Sequence, residues 1–93
     1  MRERDPKDTF LIYAIALEHK KSGDHAAAIE WFQKVLANDP TYCVAYHMAG
    51  QTYEDANDMD AAKRSYRDGI AAAAKKGDQH AMGEMQAALD MIE

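Results

Sequence analysis

Cys43 and His47 stand four residues apart, a spacing that on a helix stacks a thiol and an imidazole on one face. Such a pair is half of a four-ligand zinc site, or a nucleophile beside its base. Nothing else in the chain completes either chemistry. His19, His25 and His80 fall in separate segments without a second paired motif, and no orienting carboxylate or oxyanion loop accompanies His47. Cys43 is therefore read as a small apolar residue and His47 as a surface side chain. The acid pairs Glu54-Asp55 and Asp58 with Asp60 lack the spacing of a calcium loop and are read as solvated helix ends and caps. Glycines occur singly, so no loop cradles a phosphate. No catalytic residue, cofactor or metal ligand is expected, and the chain is not read as an enzyme.

Composition narrows the alternatives. Ninety-three residues, 47% of them hydrophobic and 29% charged, make one domain spanning residues 1–93. A net charge of −5 is opposite to what counterion-releasing nucleic-acid binders or anionic membrane surfaces require. No apolar run approaches the roughly 20 residues that span a bilayer, and the first residues lack the apolar stretch of a signal peptide. Neither nucleic acid nor membrane is an expected partner, and the cytoplasm is the expected compartment. The lone cysteine, Cys43, excludes an intrachain disulfide.

The elements that would position any site are helices. Alanine dominates and β-branched residues are sparse, while breaks fall at Ser22-Gly23-Asp24, Asn38-Asp39-Pro40-Thr41, Asn57-Asp58 and Gly77-Asp78. These breaks predict five helices near 8–21, 25–38, 42–56, 59–76 and 79–92, capped by Asp8, Asp24, Thr41, Asp58 and Asp78. Connections so short make neighbours antiparallel. The last helix carries Met82, Met85, Leu89 and Ile92 in one stripe and is read as a cap over an otherwise open stack.

Sliding the sequence by 34 residues lays Ile12 on Tyr46, Ile15 on Ala49, Ala16 on Gly50, His19 on Tyr53, Ala28 on Ala62, Phe32 on Tyr66 and Leu36 on Ile70. Large residues match large and small match small, with the small ones placed where paired helices cross closely. The motifs Ile12-x2-Ile15-Ala16-x2-His19, Ala28-x3-Phe32 and Pro40, followed by Tyr46-x2-Ala49-Gly50-x2-Tyr53 and Ala62-x3-Tyr66, resemble the tetratricopeptide repeat family. The chain departs from the family pattern at Ile12, His19, Ala49 and Ala74. Ala74 replaces the closing proline, so the fourth helix is expected to run on to Gly77. The resemblance implies an all-α, right-handed helical-hairpin repeat stack, with repeat one over 9–42, repeat two over 43–76 and a capping helix over 78–93.

In the first helix, Ile12, Ile15, Ala16 and His19 form the stripe that the repeat buries. A second apolar stripe, Phe10, Tyr13, Ala14 and Leu17, has no helix before it to cover it. The resemblance implies a concave groove lined by Phe10, Tyr13, Leu17, Lys20 and Lys21 from the first repeat, and by Val44, His47, Met48, Gln51, Glu54 and Asp55 from the second. The carboxylate clamp of the family's chaperone-binding members is missing, since Tyr13, Leu17 and Met48 stand at its Lys and Asn places. Lys20 and Lys21 are expected at one edge of the groove, with Glu54 and Asp55 at the other. The expected function is non-catalytic binding of a protein or peptide partner. The alternative is self-association, as a homodimer, through the same stripe.

Overall fold

A computed structural model describes residues 6–93. Within them the chain forms α1 (Pro6–Lys21), α2 (His25–Asn38), α3 (Cys43–Asp55), α4 (Met59–Lys76) and α5 (Gln79–Ile92). The helices pack in chain order, α1 on α2, α2 on α3, α3 on α4 and α4 on α5, with a lesser contact between α3 and α5. This is the all-α hairpin stack that the residue pattern predicts.

Three of the connections share one construction. Gly23, Asn57 and Gly77 adopt φ values of 82°, 63° and 79°, which ends each helix in left-handed geometry that Gly and Asn tolerate. The next residue, Asp24, Asp58 or Asp78, donates its N–H back to His19, Tyr53 or Ala73 at 3.0, 2.8 and 2.8 Å. Its carboxylate then accepts the N–H of Ala27, Ala61 or Ala81 and starts the following helix. α4 runs through Ala74 to Lys76, as the missing proline implies, and Gly77 stops it.

Two expected caps are corrected. α1 begins at Pro6, so Asp8 lies not at its N-cap but inside its first turn, where a carboxylate suits the positive end of the helix. Thr41 does not cap α3, whose N-cap is Tyr42 with no side-chain hydrogen bond. Instead Thr41 donates its hydroxyl to Asp39 Oδ1 at 2.7 Å, and its N–H reaches the same oxygen at 3.1 Å. Asp39 thus competes for Thr41 and closes a side-chain turn around Pro40.

The core falls into two joined clusters. Ala16, Ala28, Phe32, Val35, Ala45 and Ala49 fill the space between α1, α2 and α3. Cys43, Ala62, Tyr66, Ala73, Met85 and Leu89 fill that between α3, α4 and α5. Small residues permit the crossings, since a methyl added at Gly50 would overlap the Tyr66 ring and one at Gly69 would overlap Met85 and Tyr46. Buried polar atoms are paired: Ser65 donates to the Tyr46 carbonyl at 2.8 Å, Thr52 to that of Met48 at 2.8 Å, and Asn38 to the Thr9 hydroxyl. Met85 and Leu89 are buried and Met82 and Ile92 pack beside them, so the stripe of α5 does cover the stack.

The repeat has an unforeseen extension. Shifting α3 by 36 residues rather than 34 lays Ala45, Tyr46, Ala49, Thr52 and Tyr53 on Ala81, Met82, Met85, Ala88 and Leu89, all buried or half-buried. α5 therefore continues the series of α1 and α3, displaced by two residues where the longer α4 replaces the Pro40 linker. Ile15 is the converse case. It was expected in the buried stripe, yet it is 39% exposed, because among the described residues no helix lies against that side of α1.

Candidate protein-binding face

The residues expected to form a groove lie on α1 and α3, and α5 adds a third helix to the same series. Phe10 and Val44, 34 positions apart, are 59% and 40% exposed at the same place on α1 and α3. The 36-residue offset puts His80 at the corresponding place on α5. His80 lines, with Val44, His47, Ala81 and Glu84, a cavity of about 190 Å³ between α3 and α5. A second hollow of about 190 Å³, lined by Tyr42, Val44 and Lys76 among others, adjoins it at Val44. Sequence reasoning missed His80, Ala81 and Glu84, because it treated the last helix only as a cap. The signal was present in the match between α3 and α5 at an offset other than the repeat period.

Several expected groove residues turn out to support the fold. Tyr13 is half-buried, its ring 6.0 Å from that of Phe32 and 5.4 Å from that of Tyr42. Burial, with a smaller contribution from Tyr42, pushes its phenol pKa up. Leu17 and Met48 pack on the same first cluster. The stripe Phe10, Tyr13, Leu17 is thus not free of the core as expected. Tyr13 leans across to Phe32 of α2 and to Tyr42 beside the Pro40 linker, Leu17 packs on the same cluster, and Phe10 alone of the three is exposed. His47 is half-buried rather than a surface side chain, with Tyr66 edge-on at 5.9 Å.

The charged residues also differ from expectation. Lys20 and Asp55 lie not at opposite edges but 4.0 Å apart, bridging the C-terminal ends of α1 and α3. The repeat itself dictates this, because helices in register bring equivalent ends together. With Asp55 well exposed, the pair contributes about 0.5 kcal/mol or less. Lys21 is exposed beside it, and Gln51 is half-buried on the intervening turn. Glu54 accepts the Tyr66 hydroxyl, so its carboxylate is committed to the fold. That bond and, above all, burial hold the Tyr66 phenol far above the ordinary tyrosine range.

Cys43 is buried and donates its thiol to the Thr41 carbonyl at 3.3 Å. Burial raises its pKa, the wrong direction for a nucleophilic thiolate. Among the described residues no cluster of three His, Cys, Asp or Glu side chains is placed to hold a metal ion, and no helix is long and apolar enough to cross a membrane.

The opposite side of the molecule has larger hollows. One of about 240 Å³ lies between α2 and α4 over Tyr46, Ala49 and Tyr53, and an adjoining one of about 330 Å³ extends past Asp68 to Lys75. Their floor residues belong to the α2–α3–α4 core, which accounts for their apolar character. Phe10 and Val44 have no such role, and that distinction favours the α1–α3–α5 face.

The model of the family described as tetratricopeptide repeat matches residues 11–42 and 44–76. The photosystem I assembly protein Ycf3 of Synechococcus elongatus is 36% identical, the match covering 69% of this chain and 42% of that protein. The chain thus spans less than half the length of that curated relative. A TPR repeat-containing protein of Pseudomonas aeruginosa is 28% identical over 84% of this chain and 74% of its own. Among solved structures, a tetratricopeptide repeat domain protein from Salinibacter ruber superposes with a TM-score of 0.87 at 35% identity, covering 96% of this chain and 90% of that one. A Bordetella parapertussis protein superposes at 0.83 with 28% identity, over 90% of this chain and 73% of that one.

Proposed function

Because the chain belongs to the tetratricopeptide repeat family, whose members act through protein–protein interaction, we propose that it is a non-catalytic module holding a short peptide or partner helix on the α1–α3–α5 face. The module is read as one domain, with repeat one over 9–42, repeat two over 43–76 and a closing helix over 78–93. The observation that carries the reading is the row formed by Phe10, Val44 and His80: three side chains at equivalent places on successive helices, exposed, and required by no core. Apolar anchors flanking a cavity are what a bound segment buries first. The Lys20–Asp55 pair at the far end supplies one charge of each sign to orient it. The cytoplasm is the proposed setting, consistent with a cysteine kept as a buried thiol. The assembly role in the name of the Synechococcus relative agrees with a binding function, without specifying what this chain binds.

Peptide-library selection on the intact chain tests the reading. Phe10→Ser combined with Val44→Asp should weaken the selected peptides at least tenfold while the melting temperature stays within a few degrees. Retained binding by the double variant would remove this face from the function. Self-association through the Phe10, Tyr13, Leu17 stripe is the weaker reading, since Tyr13 and Leu17 are engaged within the chain.

A further inference from the structure

Among the described residues the stack leaves two sides bare. On α1, Tyr13 meets Phe32 of α2, and on α3, His47 meets Tyr66 of α4, so this side of each first helix receives the helix that follows it. The matching positions of α5 are Gly83 and, one turn on, Ala87. Both are exposed, and a methyl added at Gly83 would meet no atom within 4 Å. Met91, 85% exposed, continues their line. The other side of each first helix receives the helix before it. There Ala45 and Ala49 of α3 are buried in one cluster with Phe32 and Val35 of α2, and Met85 of α5 is buried against Gly69 of α4. The corresponding residues of α1 are Leu11 and Ile15, which are 57% and 39% exposed. Neither bare side is the Phe10–Val44–His80 row, and the inference goes beyond the function proposed above.

We infer that these two sides are the halves of one contact: the Leu11–Ile15 side of α1 seats the Gly83–Ala87 side of α5 from a second copy of this chain, so that copies add head to tail and prolong the stack. The junctions inside the molecule set the terms. Where α4 covers α5, the covering helix offers Gly69 and Met85 takes the space that a methyl there would fill. Gly83 and Ala87 against Leu11 and Ile15, each pair spaced by four residues, repeat that division of volume. Neighbouring helices in the stack are antiparallel, and an antiparallel α5 brings its N-terminal, positive end to exposed Glu18, one turn beyond Ile15. A second copy is the occupant because this one chain carries both halves, matched in volume and in end charge. Gln86 and Asp90, hydrogen-bonded to each other at 2.9 Å, stand beside Ala87, so the contact is polar along one edge and reversible. Its halves differ, which makes it heterologous, and every added copy leaves one half of each kind open.

The chain is its own probe. Sedimentation of the intact chain across a concentration series should show association that grows past the dimer. Ile15→Asp removes one half of the contact, and Gly83→Leu blocks the other without disturbing its own fold, because the space above Gly83 is open. Each should weaken association at least tenfold while the melting temperature of the dilute chain stays within a few degrees. Mixed in equal amounts, the two variants should form a dimer and nothing larger, since each keeps the half that the other has lost. An intact chain that stays monomeric at millimolar concentration would overturn the inference and leave the Leu11–Ile15 side to a different protein. So would variants that fail to pair when mixed, or a closed dimer that Ile15→Asp breaks and Gly83→Leu does not. Phe10→Ser with Val44→Asp should leave the association unchanged, and its loss in that variant would move the contact to the Phe10 row. Peptide binding by that row is read on other substitutions, so failure of either test leaves the other standing.

Discussion

Tyr13 and Phe10 show how three residues along one helix can separate structure from recognition. Tyr13 closes an aromatic group with Phe32 and Tyr42, so Tyr13→Ala should cost about 2 kcal/mol, less than a fully buried aromatic because the ring keeps some exposure. Phe10→Ser should stay within about 0.5 kcal/mol. Urea unfolding of the two variants separates them, and equal losses would mean that Phe10 also belongs to the core. Tyr66 makes a pH prediction. Its phenol has an ordinary value of 10.0, and burial together with the Glu54 hydrogen bond raises it in the folded chain. The unfolded chain therefore ionises first, and the stabilisation is complete below about pH 10 and declines as the pH rises beyond it. Tyr66→Phe should lose about 1 kcal/mol at neutral pH from the missing hydrogen bond and show a shallower alkaline decline. Unfolding free energies measured from about pH 8 to 11 would contradict this if wild type and variant fell in parallel.

At the scale of helices and turns, much was legible because local chemistry decided it. Gly23-Asp24, Asn57-Asp58 and Gly77-Asp78 each pair a residue that tolerates left-handed geometry with a carboxylate cap, and each built the expected turn. The alanine and glycine positions at crossings were legible too, since the 34-residue match fixed which faces meet. Thr41 was not, because a single spacing pattern does not reveal that Asp39 would capture it. The placement of Tyr13 and Leu17 was equally hidden, because a half-buried side chain serves whichever neighbour its length can reach. The role of α5 in the candidate face lay in an offset of 36, which a search at the repeat period passes over. Its role as a cover is directly testable. Met85 and Leu89 each stabilise by about 1.5–3 kcal/mol through burial. A chain ending at Gly77 should therefore melt at least ~15 °C lower or aggregate. A soluble truncated chain with an unchanged melting curve would reduce α5 to an appendage.

Among the described residues the helices pack mainly on their neighbours along the chain, with lesser contacts between α3 and α5 and, through Lys20 and Asp55, between α1 and α3. The two ends of the stack are covered differently. α5 buries Met85 and Leu89 against the stack, whereas Leu11 and Ile15 of α1 lie bare. Stability in such an array is a local quantity that falls toward the less covered end. Native-state hydrogen exchange should follow that order, with α1 amides opening at the lowest free energy and those of α3 and α4 only in global unfolding. Uniform protection across all five helices would contradict it. The bare side of α1 thus has a dynamic counterpart: the chain should breathe from its first helix.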